Sequence, residues 1–346
     1  MTRIVASAPG KLVLLGEYAV LEGAPALVLA VNRRASVTLD ACPGDAWEIA
    51  SPTLGLDARL RMRADRPEWI GNMPVELEWV PTLLARFPGI GELPPRRVEL
   101  ESAAFHLDHA YAGQAGPAVK LGLGSSAALT VALLGALHAQ AGLPPPTLDD
   151  AIDAHRAIQH GRGSGIDIAA SLAGGLTRFQ LDDRSVLTLP LSLPPELRWC
   201  CVYSGHPSST RDMLAKVGAW REREPTAFAQ RMDELATISS RGIDAIAAHD
   251  AAGFLTILHD YARALAGFGE AAGADIASRE HRTLGALAAR CGCAYKSCGA
   301  GGGDVGVTFA VADSRLQAFA ASAADAGYAV IGMQADPKGL DVASTV

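Results

Sequence analysis

Aromatic side chains are scarce in this sequence, 5% of 346 residues, so no core built mainly from stacked rings can be expected. Charge is also thin at 19%, against 49% hydrophobic residues, which excludes a disordered chain. Positive charge is not in excess: the net value is -7, and the broad basic surface of a general nucleic-acid binder is missing. A handful of local lysines and arginines is still enough to hold an anionic small molecule. No apolar run is long enough to span a bilayer, and the N-terminal stretch is broken by Lys11, Glu17 and Glu22, unlike a signal peptide. Six cysteines are present, none in a C-x-x-C pair, so reduced thiols in a cytoplasmic protein are expected. Histidine clusters are equally poor: His106 and His109 have metal-like spacing, but no further ligand type stands near them, and exposed loop histidines are the better reading.

What is there is small and aliphatic. The first part reads as β-rich, with short strands at Arg3–Ala8 and Lys11–Leu15 around a Pro9-Gly10 turn, then Ala26–Ala30, Ala35–Asp40 and Arg97–Ser102. Val75–Arg86 has helical periodicity. Gly124–Ala141 is apolar almost all round and reads as a buried helix ending at Gly142. Thr147, followed three residues later by Asp150, opens an amphipathic helix to His160, and Ile166–Leu172 is a second buried one. A Pro- and Leu-rich stretch near 187–197 separates an expected first domain, 1–190, from a second, 191–346. The second alternates strands and helices in the order of a ferredoxin-like α+β layer.

Three segments carry chemistry. In Lys120-Leu-Gly-Leu-Gly-Ser-Ser-Ala-Ala128, Gly122 and Gly124 let the backbone pass close to a bulky anion, and the helix that follows adds its positive end. The Ser125 and Ser126 hydroxyls can reach phosphate oxygens or a magnesium ion bridging them. A dinucleotide fingerprint fits the glycines too, yet no acidic residue closes a βαβ unit about 20 residues on. The second segment, Ala8-Pro-Gly-Lys-Leu-Val-Leu-Leu-Gly-Glu-Tyr-Ala-Val20, sets Lys11 on a strand among apolar residues, where a lysine needs an anion or a path to the surface. The third, Lys296 to Gly306, is mostly Gly and Ala between 297 and 306. That composition is conformationally costly unless a ligand comes close to the backbone.

In this order and spacing the three segments resemble the signature motifs of the GHMP kinases, a family that includes galactokinases, homoserine kinases, mevalonate kinases and phosphomevalonate kinases. The resemblance implies an α+β, two-domain GHMP kinase fold, with a first domain like domain 2 of ribosomal protein S5 and a ferredoxin-like second domain. It implies ATP and Mg²⁺ as cofactors. It makes Gly122, Leu123, Gly124, Ser125, Ser126 and Ala127 the nucleotide loop, with Ser126 on the metal, and Lys11, Lys120 and Asp167 the catalytic set. Gly163-Ser-Gly-Ile-Asp-Ile-Ala-Ala170 and Ser204-Gly-His-Pro-Ser-Ser-Thr-Arg-Asp-Met213 are similar to runs of the bacterial phosphomevalonate kinases. That similarity assigns Tyr18, Ser164, Gly165, Ser208, Ser209, Thr210, Arg211, Gly301 and Gly302 to a phosphorylated small-molecule substrate. Arg156 stands where mevalonate kinases place a magnesium-binding glutamate, and Asp153 offers the nearest substitute carboxylate. The implied reaction is phosphorylation of mevalonate 5-phosphate by a monomer or homodimer that needs neither nucleic acid nor membrane. Mevalonate kinase, another GHMP kinase, the related diphosphomevalonate decarboxylase and a non-catalytic ligand sensor are the alternatives; a dehydrogenase is the rival from another class.

Overall fold

The structure, a computed structural model, describes residues 3–63, 65–107, 118–161, 163–182 and 185–345. Its strands are β1 (Arg3–Leu15), β2 (Ala26–Ala41), β3 (Ala46–Ser51), β4 (Leu56–Arg63), β5 (Arg66–Ile70), β6 (Arg96–Glu101), β7 (His106–Leu107), β8 (Val119–Lys120), β9 (Leu176–Asp182), β10 (Ser185–Leu191), β11 (Arg198–Tyr203), β12 (Ala294–Ser297), β13 (Val305–Ala310), β14 (Ala329–Ile331) and β15 (Asp341–Thr345). The helices are α1 (Trp79–Leu84), α2 (Ser125–Ala141), α3 (Leu148–Ile158), α4 (Ile166–Ala173), α5 (Thr210–Arg223), α6 (Pro225–Ala247), α7 (Ala251–Ala272), α8 (Arg279–Arg290) and α9 (Asp313–Asp325). Among the described residues no helix is long and apolar enough to cross a membrane. His109 lies outside the described residues; His106 belongs to β7, its Nδ1 3.2 Å from the Ser102 carbonyl oxygen.

The expected turn at Pro9-Gly10 lies inside one continuous strand. β1 pairs antiparallel with β2 from Ile4↔Leu39 to Leu15↔Leu27, and the register shifts between Pro9 and Gly10. Pro9 pairs with Arg34 and Gly10 with Val31, so the residues left over by the shift are Asn32 and Arg33 of β2. A side chain at Gly10 would press on the Phe105 ring and the Leu123 carbonyl. β2 likewise runs unbroken through Asn32-Arg33-Arg34, because its two halves serve different neighbours: Ala26–Leu29 pair with β9 and Ser36–Ala41 with β6. The large sheet therefore runs β10-β9-β2-β6-β3-β4-β5, with β1 on the other side of β2.

Helix α2 covers this sheet and, as its uniform apolarity requires, is buried on nearly every side. Thr147 caps α3 in a reciprocal box: its side chain accepts from the Asp150 amide while the Asp150 carboxylate accepts from the Thr147 amide. The periodic stretch 75–86 forms only a short 3-10 turn and the brief α1 before Pro88.

The second half holds a four-stranded antiparallel sheet in the order β12-β13-β11-β14, the ferredoxin-like arrangement. Alternate residues supply its two faces. Val202, Tyr295 and Ala310 meet Leu284, Leu316 and Phe319 of α8 and α9, while Cys201, Val307 and Phe309 join the large core. The few aromatics gather where the halves meet: Tyr18 and Trp220 lie 5.0 Å and 5.4 Å from Phe268, and Phe228 closes the group.

β15 had no sequence signal and pairs with β1, from Arg3↔Thr345 to Ser7↔Asp341. A boundary near residue 190 leaves this last strand and its partner on opposite sides. Arg34 ties the returning chain down, donating to Asp336 at 2.7 Å, to the Gly339 carbonyl at 2.7 Å and to Ser7 of β1 at 2.8 Å. Among the described residues all six cysteines are unpaired thiols.

Thr147→Ala removes one half of the capping box and exposes an orphan amide. Chemical denaturation should register a loss of about 1 kcal/mol with no change in the fold.

Candidate active site

Just past the register shift, Lys11 lines a cleft of about 470 Å³ between the two halves. The Lys11 amide donates to the Leu123 carbonyl at 2.9 Å, and its Nζ lies 3.5 Å from the Gly122 carbonyl oxygen. Strand and glycine loop are thus in direct contact. Gly122 and Gly124 both have left-handed backbones, φ 68° and 82°. Neither has room for a side chain: a Cβ at Gly124 would lie 3.3 Å from the Lys11 stem, and one at Gly122 would run into the Asp304 carboxylate. The loop hands over to α2, whose first residues Ser125 and Ser126 line the cleft with their amides at its N-terminal end.

Helix α3 supports the loop from behind. Buried His155 has its Nε2 3.4 Å from Ser126 Oγ and 3.3 Å from Gln159 Nε2. Arg156 Nε donates to the Gly163 carbonyl at 3.3 Å, so the arginine steadies the turn that leads into α4. Asp167 sits in the first turn of α4, lines the cleft, and accepts from the Ile168 amide at 3.0 Å. Asp153 is exposed and outside the cleft, so it does not substitute for the carboxylate that Arg156 displaces.

From the second half come Pro207, Ser208, Thr210 and Leu214 at the start of α5, and Gly299, Ala300 and Asp304 from the third glycine segment. The cleft thus brings together Lys11, Tyr18, Lys120, Gly122, Gly124, Ser125, Ser126, Ser164, Asp167, Ser208 and Thr210 of the expected residues. Seven others are not on its wall. Leu123 and Ala127 point into the core and contribute backbone alone. Gly165 is a glycine because a Cβ would strike Ile152 of α3. Ser209 caps α5 by accepting from the Asp212 amide at 3.3 Å, and Arg211, two positions further on, is exposed and does not line the cleft. Gly301 and Gly302 pack against Ile276 and Met213.

Several groups within the motifs make contacts that the sequence did not announce. Lys296 is buried and meets the equally buried Glu17 in an ion pair, while its Nζ also donates to the carbonyls of Val13 at 3.2 Å and Ser297 at 2.6 Å. Like Lys11, Lys296 is a lysine within an apolar strand, and it is the more deeply buried of the two. Tyr18 donates to the Ala300 carbonyl at 2.6 Å, and burial, then the neighbouring Glu17, raises its pKa. Asp304 has a left-handed backbone, φ 57°, and its Oδ1 accepts from the Ser208 amide at 3.2 Å. Burial raises its pKa, opposed by that amide, by Lys11 and Lys120, and by His206. Beneath the loop, His281 is held between the Tyr295 hydroxyl at 2.7 Å and the Gly303 carbonyl at 2.9 Å.

Glycine loops, two lysines and a helix N-terminus converging on one cleft define a protein built to hold phosphate groups. The model of the GHMP kinases N terminal domain matches residues 99–175, which span the glycine loop and Asp167. A phosphomevalonate kinase from Streptomyces sp. strain CL190 is 31% identical over 90% of this chain and 91% of its own. A mevalonate kinase from Methanothermobacter thermautotrophicus is 32% identical over 68% of each chain. The solved structure of Streptococcus pneumoniae phosphomevalonate kinase with phosphomevalonate and AMPPNP superposes with a TM-score of 0.77 at 17% identity, covering 96% of this chain and 99% of that one. The chain belongs to the GHMP kinase family, and its fold is the two-domain fold of those enzymes.

Burial, foremost, lowers the pKa of His281 from 6.5 to about 4, with the Gly303 carbonyl opposing. Between those values the unfolded chain binds a proton that the folded chain refuses, so stability falls as pH falls from about 6.5 to about 4. Urea titrations across this range should show that decline, and His281→Gln should flatten it.

Proposed function

We propose that this protein transfers the γ-phosphoryl group of ATP to the phosphate of mevalonate 5-phosphate, giving the diphosphate and ADP. The observation that carries the reading is that two helix starts suited to phosphate line the same cleft. One is the Gly122–Ser126 loop at the start of α2; the other is Ser208–Thr210 at the start of α5, with Lys11 and Lys120 between the halves. The Streptomyces relative supports the choice of acceptor, and the GHMP kinase family supports ATP as donor.

A phosphate monoester has a second pKa near 6, so such an acceptor is largely ionised at neutral pH. It needs no strong base, and catalysis reduces to positioning and charge stabilisation. In this reading Lys11 and Lys120 neutralise the transferring group and the acceptor, while Asp167 orients the acceptor and takes up any remaining proton. The loop amides hold the triphosphate, and Ser164 and Tyr18 shape the acceptor wall.

Magnesium fits the donor set in one particular way. Among the described residues no group of three His, Cys, Asp or Glu could hold a metal, whereas the Ser126 hydroxyl is exposed on the cleft wall. That suits an ion carried in on the nucleotide, because Mg²⁺ keeps several waters and binds through substrate phosphates plus one or two protein groups. When bound, it supplies charge neutralisation of the phosphate oxygens. The water-soluble substrates are consistent with a cytoplasmic enzyme.

Mevalonate kinase is the second reading, favoured by the Methanothermobacter relative; there the acceptor is an alcohol and Asp167 acts as base. Coupled ADP release with ATP and Mg²⁺ separates the two. Turnover is expected with mevalonate 5-phosphate and not with mevalonate, homoserine or galactose. Lys11→Ala and Asp167→Ala should each cost about 100-fold or more in kcat/KM. Turnover with mevalonate alone would sink the first reading and keep the second.

A further inference from the structure

Asp304 is out of place in an anion cleft. It closes a Gly301-Gly302-Gly303 run in which glycine would be expected at a left-handed position, yet φ is 57° at this aspartate. Such a backbone is unfavourable for a side chain by about 1 kcal/mol or more, least so for Asp and Asn, and points to a use for the group kept there. The carboxylate is fixed from several directions. Its Oδ1 accepts from the Ser208 amide, just ahead of the Ser209 cap of α5. The main chain is pinned on both sides, the Asp304 amide donating to His206 at 2.9 Å and the Ser204 amide donating to the Asp304 carbonyl at 2.8 Å. The other carboxylate edge stands against Gly122, so close that a Cβ there would lie 2.3 Å from Oδ2. An amide ahead of a helix start, two lysines and a glycine backbone are what a phosphate would be offered; here an internal carboxylate has taken the place.

We propose that Asp304 is an internal anion that competes with the acceptor's phosphate for the Ser208 amide and the field of Lys11 and Lys120, and so sets the affinity of the cleft for phosphorylated ligands. This rests on reading Ser208–Thr210 as the acceptor end. The competition has a physical purpose in the empty enzyme, where Asp167 alone would leave the two cleft lysines with an excess of positive charge open to any small anion. A resident carboxylate answers them at no entropic loss, so that only a ligand making further contacts displaces its influence. The raised pKa of Asp304, driven by burial, agrees with a carboxylate held there at some desolvation expense.

The test titrates inorganic phosphate into the full chain by calorimetry, with ADP saturating. Asp304→Asn removes the charge, keeps an acceptor for the Ser208 amide, and tolerates the left-handed backbone. Asp304→Gly removes charge and side chain together and relieves the backbone, so it serves if the first variant misfolds. Removing a unit charge near contact distance should tighten phosphate binding about fivefold or more in both. Asp57→Asn, an exposed carboxylate on β4, should bind as the wild type does. Phosphate affinity unchanged or weakened in a cooperatively folded Asp304 variant overturns the proposal, as does absence of binding in every protein. Because phosphate is the probe, failure of turnover with mevalonate 5-phosphate is a separate result and leaves this one readable.

Discussion

Lys296 and Glu17 meet where water does not reach, and the site is organised around that contact. Glu17 follows β1 in the segment that carries Lys11; Lys296 lies on β12 and opens the third glycine segment. Burying either charge alone is prohibitive, and breaking such a pair from one side typically costs about 3–5 kcal/mol. The two halves of the cleft are therefore registered by electrostatics as well as by the aromatic group around Phe268. Lys296 donates hydrogen bonds to Glu17 and two main-chain carbonyls, while the buried Glu17 Oε2 has no hydrogen-bond partner.

With the halves held so, the charges left in the cleft are few and specific. Lys11 and Lys120 face Asp167 and Asp304, and the rest of the anion-binding capacity is main chain: the amides of the glycine loop, the start of α2 and the start of α5. Amide dipoles do not titrate, and they are fixed in advance by the helices that carry them. For phosphoryl transfer, where charge spreads over several oxygens and little covalent chemistry falls to the protein, such preorganisation is the main lever. His155 behind Ser126, Arg156 under Gly163 and His281 under Gly303 belong to the same scheme, buried or half-buried groups holding loops that would otherwise be loose.

Much of this was readable one residue at a time. Thr147 and Asp150 announce their box by spacing. The Ala/Leu run from 125 to 141 announces a buried helix, and Gly122 and Gly124 a close approach. Other features became legible only in the fold. Pro9-Gly10 looks like a turn but lies within one strand, because β2 offers a partner to the residues on both sides. Arg211 looks like a phosphate ligand by its place after three hydroxyl residues, yet one step of helical rotation from Thr210 takes it off the cleft wall.

The amino-acid order alone determined the family, the glycine loops, most helix limits and the candidacy of Lys11, Lys120 and Asp167, since these depend on neighbours a few residues apart. Tertiary structure decided which charges meet. Glu17 and Lys296 are 279 positions apart, Asp304 and Gly122 are brought together from separate halves, and β15 returns to β1 across the whole chain. Such pairings carry no local signature: an ion pair or a packed glycine depends on distance in space, and only the closed fold sets that distance.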